Sequence, residues 1–332
     1  MPKRDFTPVR LLLVCALLAG ANMVLYSHAA ERTPTMRQTQ AQHAPLVAVS
    51  QAGERLVAVG DYGVVALSEG GQDWRQARAV PVDTLLTAVS FADAQNGWAV
   101  GHGGVLLHTR DAGESWTLQQ RLEGNPVLLS VWFENTRHGI VTGAYGYASE
   151  TQDGGQSWQR LSLGANDDDY HLNHIFCAPD GSLFIAAEGG NAYRSRDNGV
   201  TWEALDTGVS GSLWSGITLR DGRVLLAGMS GRVLLSEDRG DSWRELDSGS
   251  QEAITAVTQL ADGRVVVVGN GGLVSVADAD LKHFSTAIRE DRLNLSALLA
   301  VDDDQLTLSL QREHFQRKVY TLLWLQPQAP SW

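Results

Sequence analysis

The sequence predicts an all-β protein: a seven-bladed β-propeller with four-stranded antiparallel blades and aspartate-bearing turns. Three observations carry that expectation. A polar octet closed by tryptophan recurs as TRDAGESW (Thr109 to Trp116), TQDGGQSW (Thr151 to Trp158), SRDNGVTW (Ser195 to Trp202) and SEDRGDSW (Ser236 to Trp243). A worn copy, LSEGGQDW, ends at Trp74, and the five closing tryptophans stand 42, 42, 44 and 41 residues apart. Between the octets lie short, apolar, β-branched runs bounded by turn residues, with no long stretch at helical spacing. A fixed period of this size marks a repeat architecture, and four short antiparallel strands per period, repeated radially, make a propeller.

The elements follow in order. Lys3, Arg4 and Arg10 precede the apolar run Leu11 to Tyr26, and Ser27-His28-Ala29 supplies small residues at a cleavage point. Residues 1–29 therefore read as a secretory signal peptide, or an anchor if uncleaved, and the protein is expected to be exported to a periplasmic or lumenal space. Residues 30–45 are polar and read as a linker, or as a strand near Thr33 to Gln42 that completes the last blade and removes an open edge. The propeller is expected over residues 46–326. Its first runs begin near Leu46, Leu85, Leu128, Leu172, Leu213, Ile254 and Leu295, hence seven units. The last unit, LSALLAV, QLTLSL and KVYTLLWL, supplies three strands and no tip of this type.

Composition sets limits on function. The chain of 332 residues carries 34 glycines, 43% hydrophobic residues and a net charge of −12. Nucleic acid calls for a basic stripe, so it is not an expected partner, and nothing favours direct binding to anionic lipid. A monomer is expected. Cys15 and Cys177 are the two cysteines, so an exported chain retains one and forms no internal disulfide. Cys177, in the apolar run HIFCAP, reads as buried and inert. No Cys/His spacing resembles a zinc site, and neither metal nor cofactor is expected.

The recurring octet reads as a structural corner. Asp111, Asp153, Asp197 and Asp238 can accept backbone N–H groups across the turn. Gly113, Gly155, Gly199 and Gly240 permit a positive φ. Trp116, Trp158, Trp202 and Trp243 can bury their indoles and anchor the turn. Each tip offers too few oxygens to hold calcium alone.

At these residues a family resemblance enters. The four good tips are Asp boxes, the bacterial neuraminidase repeat. VGHGGVLLHTRDAGESW (Val100 to Trp116), preceded by LTAVSFADAQNGWA (Leu86 to Ala99), resembles the propeller family of photosystem II stability and assembly factors. The likeness runs from about Leu46 to Leu325 and is strongest between Leu86 and Trp243. It implies a non-catalytic propeller that assists assembly or stability of a membrane protein complex from the periplasmic or lumenal side, with that complex or its precursor as partner.

An enzyme is not expected. The alternative is a secreted carbohydrate-active protein, sialidase-like or another glycosidase, or a sugar-binding propeller. Asp167, Asp168 and Asp169 facing Glu188 would be its carboxylate pair. The same loop suggests a cation site from Asp167, Asp169, His171 and His174. Its simpler reading is a solvated acidic loop in the longest inter-blade connection. If function is binding, the faces differ. The Asp-box tips and the first-to-second strand turns share one face. The second-to-third strand links and the inter-blade connections share the other, and there the residues vary from unit to unit. Candidate partner-binding residues on that link face are Tyr62, His102, Tyr145, Tyr170, Glu188 and Trp214, because exposed aromatics make good anchors.

Overall fold

The structure is a computed structural model. It describes residues 44–71, 73–164 and 170–300, and the strand backbone at 306–310 and 320–321. The signal segment, most of the linker with its expected closing strand, and Asp167, Asp168 and Asp169 lie outside the described residues.

The β-propeller is present, but the expected number of four-stranded blades is corrected. Among the described residues six sheets have four strands, and the last sheet has three: Leu295–Ala300, Leu306–Leu310 and Tyr320–Thr321. The difference has a local cause. In each complete blade a hairpin tip turns the third strand back into a fourth, and the last repeat carries no such tip in its sequence. Blades are numbered one to six here from the N-terminus.

Blade two shows the common plan. Leu86–Phe91, Gly97–Gly101, Val105–Thr109 and Thr117–Arg121 pair in that order, each antiparallel to the next. Inner strands stand side by side around the ring, and Leu295–Ala300 returns beside Leu46–Ala52. Second strands such as Gly97–Gly101 and Val265–Gly269 are buried at every residue. Both of their faces are covered by neighbouring sheets, so they read as continuous apolar runs, without alternation. Fourth strands such as Thr117–Arg121 lie at the periphery and are polar. The core therefore lies between blades. Val57 and Leu67 of blade one pack with Leu86, Ala99, Leu107 and Trp116 of blade two, and Leu225 and Leu235 of blade five pack with Val265 and Val267 of blade six.

A bulge at the second residue of the inner strand ties the ring together. In blade two the register slips between Leu86 and Ala88, leaving Thr87 unpaired. A bulge re-aims a side chain, and the Thr87 hydroxyl donates to the Leu128 carbonyl of blade three at 2.7 Å. Asn173 reaches Leu213 at 2.8 Å and Thr255 reaches Leu295 at 2.6 Å in the same way. Ser296 of the three-stranded sheet donates to the Leu46 carbonyl at 2.8 Å and closes the ring. Trp214 occupies the same bulge in blade five. It is half-buried inside an inner strand, not in the inter-blade connection where the sequence placed it.

Cys177 also differs from expectation: it is exposed. It ends the inner strand Leu172–Cys177, where the chain leaves the wall of the ring. Partial burial and the nearby Glu134 and Asp180 carboxylates push its thiol pKa up.

Candidate docking face

Four Asp-box tips share one geometry. In blade two, Thr109 Oγ1 donates to Asp111 Oδ1 at 2.8 Å and receives the Gly113 N–H at 3.0 Å. Asp111 Oδ1 receives the Ser115 N–H at 2.9 Å, and Oδ2 receives the Ser115 hydroxyl at 2.5 Å. Asp153, Asp197 and Asp238 repeat these bonds with Ser157, Thr201 and Ser242. The hydrogen bonds favour the ionised form: the Ser157 hydroxyl, then its N–H, hold Asp153 down to about 2, and Ser242 does the same for Asp238, also at about 2. Trp116, Trp158 and Trp202 close their tips by donating from Nε1 to the carbonyls of Gly113, Gly155 and Gly199. Trp243 is the exception, with its Nε1 buried and unpartnered among the described residues.

The tips do more than turn the chain. Gly113 has φ +83°, and a Cβ there would stand 3.2 Å from Leu67 Cδ2 and Val57 Cγ2 of blade one. Trp116 donates its N–H to Ala79 at 2.8 Å, and Arg78 donates to Glu114 at 2.8 Å. Each tip thus docks on the preceding blade, so the glycine is needed for contact as well as for φ. Ala112 also donates to Gln95 of the first turn in its own blade at 3.1 Å. These bonds bring tips and first turns together on one face and engage the carboxylates of the Asp boxes.

The opposite face is built by three-residue links. Asp61–Gly63, His102–Gly104, Glu188–Gly190, Met229–Gly231 and Asn270–Gly272 each form one tight turn, with residues 144 to 146 in the corresponding place of blade three. The first N–H of each link donates to the connection before its own blade, as Asp61 to Pro45, His102 to Leu85 and Glu188 to His171. In blades one to three the third N–H donates to the connection after it, as Gly63 to Thr84, Gly104 to Pro126 and Gly146 to Tyr170. The third glycine is obligatory: a Cβ on Gly63 would stand 2.0 Å from the Val82 carbonyl oxygen.

The middle residue of every link is left-handed: Gly103 (φ +69°), Gly189 (+72°), Gly271 (+62°), Ser230 (+60°), Tyr62 (+55°) and Tyr145 (+55°). For a bulky residue this region costs about 1–2 kcal/mol. Two tyrosines nevertheless stand where three blades use glycine, and they are exposed, Tyr62 at 45% and Tyr145 at 70%. Strain of this kind persists where something else requires the residue. The sequence carried the signal in the aligned links DYG, HGG, AYG, EGG, MSG and NGG, but the backbone conformation that makes tyrosine unusual there is a product of the fold.

Of the sequence-predicted candidates, the structure brings Tyr145, Tyr170 and Glu188 together around His171. The Tyr145 and His171 rings meet edge to face at 5.0 Å. Glu188 Oε2 receives the His171 N–H at 3.2 Å. A Cβ on Gly189 would stand 3.1 Å from Tyr170 Cε1, so that ring lies against the Glu188 link. Tyr62 and His102 are exposed on other links of the same face. His174, offered with His171 as a cation ligand, is engaged elsewhere: its Nδ1 receives the Gly216 N–H at 3.2 Å, and burial pushes its pKa down to about 4. Among the described residues no group of three or more His, Cys, Asp or Glu is arranged to hold a metal ion.

Sequence reasoning missed a buried cation on the tip side. Arg194 is 2% exposed, and its Nε and Nη2 donate to Glu203 and Asp241, each at 2.7 Å. It also donates to the Arg239 carbonyl of the next tip. Arg196 shares both carboxylates, and Arg232 and Arg244 pair with Glu245 and Glu237.

Fold and site together define an Asp-box β-propeller whose corners are structural and whose opposite face carries the unit-specific side chains. The family model for the photosynthesis system II assembly factor YCF48 matches residues 47–132 and 119–285, and the chain belongs to that family. Among solved structures, a YCF48 bound to a D1 peptide shares 20% identity and a TM-score of 0.69, covering 81% of this chain and 91% of that one. YCF48 from Cyanidioschyzon merolae shares 16% identity and a TM-score of 0.65, over 81% and 93%. A virginiamycin B lyase from Staphylococcus aureus shares 8% identity and a TM-score of 0.70, over 83% and 94%. At these identities the solved structures show a common fold. No curated protein matches the sequence.

Proposed function

We propose that the protein is an exported, non-catalytic scaffold whose link face binds a membrane protein or its precursor and assists its assembly from the periplasmic or lumenal side. Membership of an assembly-factor family supports this reading, as does the peptide bound by the solved YCF48. The observation that carries it is the pair of exposed tyrosines, Tyr62 and Tyr145, held at positive φ on one face. Folding alone would favour glycine there, and exposed tyrosines make effective interface anchors.

Crosslinking in intact envelopes, followed by mass spectrometry, tests the proposal. A membrane protein is expected to crosslink to link-face residues. Replacing Tyr62 and Tyr145 together with glycine should abolish most of that yield while the protein stays folded. Undiminished crosslinking in the double variant would reject the link face as the docking surface.

A further inference from the structure

Around Tyr145 the link face has a chemistry of its own. The Tyr145 phenol is 70% exposed. The Tyr170 ring lies over the bare backbone of Gly189 in the link of the next blade. Glu188, first residue of that link, keeps 44% of its side chain exposed while its Oε2 holds the His171 N–H. The His171 ring lies between the two links: its Nδ1 accepts the Tyr145 backbone N–H at 3.3 Å and stands 3.6 Å from Glu188 Oε2. Arg160 borders the same link, over the Tyr147 ring at 4.0 Å and donating to the Gly146 carbonyl at 3.3 Å, so an incoming cation must approach from the Glu188 side. Phenol rings beside a partly exposed carboxylate attract a cation, through the ring quadrupole and through direct charge.

We propose that Tyr145, Tyr170 and Glu188 receive an arginine or lysine side chain from an extended basic segment of the partner protein. The proposal rests on the docking reading above and specifies its chemistry. Charge complementarity supports it: the chain carries −12 overall, and Arg194, Arg196, Arg232 and Arg244 are all paired with carboxylates. A neutral or acidic segment is the competing occupant.

The test is fluorescence anisotropy on the full-length protein at low ionic strength. The probe is a labelled Gly/Ser dodecapeptide carrying three arginines, compared with the same peptide bearing citrulline or glutamate instead. The arginine peptide should bind, and the citrulline peptide should bind at least about tenfold more weakly. Tyr145→Ser and Glu188→Gln should each weaken the arginine peptide by a similar factor. Glu237→Gln, which removes the same charge from the opposite face, should change nothing. Tyr145→Ser copies the residue that blade five holds at this φ, so a folded variant is expected, and thermal melting checks it. Equal binding of the citrulline peptide, preference for the glutamate peptide, or wild-type affinity in both site variants would overturn the proposal. If a membrane protein crosslinks to the link face while the arginine peptide fails, the cation site falls and the docking reading stands. If the peptide binds as expected and no membrane protein crosslinks, the docking reading falls.

Discussion

Tyr145 shows how much a single residue can carry. At φ +55° and 70% exposed, it bears a left-handed backbone and gains little packing in return. Tyr145→Gly should leave the melting temperature unchanged or raise it by up to about 3 °C, since about 1 kcal/mol shifts a domain of this size by a few degrees. A clear drop in calorimetry would make the ring a packing element instead of a docking residue. His174 behaves differently. Its pKa falls from 6.5 to about 4 because burial disfavours the charged ring. The folded state prefers the neutral form, so this contribution is complete above about 6.5 and is lost as pH falls through that window. His174→Asn keeps an acceptor for the Gly216 N–H and should flatten the decline in urea midpoint between those values. An identical decline in the variant would assign it to other groups.

At the scale of the element, the Asp box is a hairpin tip that also fastens two blades. Asp153 and Asp238 fall from 3.8 to about 2 on folding, through bonds from Ser157 and Ser242. Their contribution is present above about 3.8 and disappears as pH falls towards 2, below the range in which His174 acts. The double variant Asp153→Asn, Asp238→Asn should be less stable near neutral pH and lose less stability across the acid limb. The Arg194 clasp follows an asymmetric rule. Removing Arg194 leaves Glu203 and Asp241, which are half-exposed and can rehydrate. Removing both negative charges leaves a buried guanidinium with neutral acceptors and no counter-ion, a loss of up to about 3–5 kcal/mol. Glu203→Gln with Asp241→Asn should therefore destabilise more than Arg194→Met in chemical denaturation, and the reverse order would mean that Arg194 acts mainly through packing.

Over the whole molecule, stability depends on a ring whose first and last strands come from distant parts of the chain. The Ser296 to Leu46 bond joins residues 250 apart at 2.8 Å. Ser296→Ala should cost about 1 kcal/mol. Thr255→Val removes the same kind of bond, Thr255 to Leu295, one interface earlier, and should cost a similar amount. A markedly larger loss for Ser296→Ala would show that closure is the weakest interface of the ring.

The repeat period, the Asp-box corners and the separation of a structural face from a variable one were legible in the residues, because a hairpin tip needs the same few side chains each time it recurs. The closing tryptophans and the link motifs are local devices, readable within about ten residues of chain. Other features depended on what each segment meets in space. Seven four-stranded blades were expected; among the described residues six sheets have four strands, and the last, whose repeat has no tip to turn a fourth strand, has three. Trp214 and Cys177 looked like a connection residue and a core residue, until a bulge and a strand end placed them otherwise. Only the tertiary structure gathered Tyr145, Tyr170, His171 and Glu188, drawn from two links and the connection between them, and set two tyrosines at positive φ. Sequence determines what a corner can hold by itself; backbone strain, burial and the meeting of side chains from different blades are properties of the closed ring.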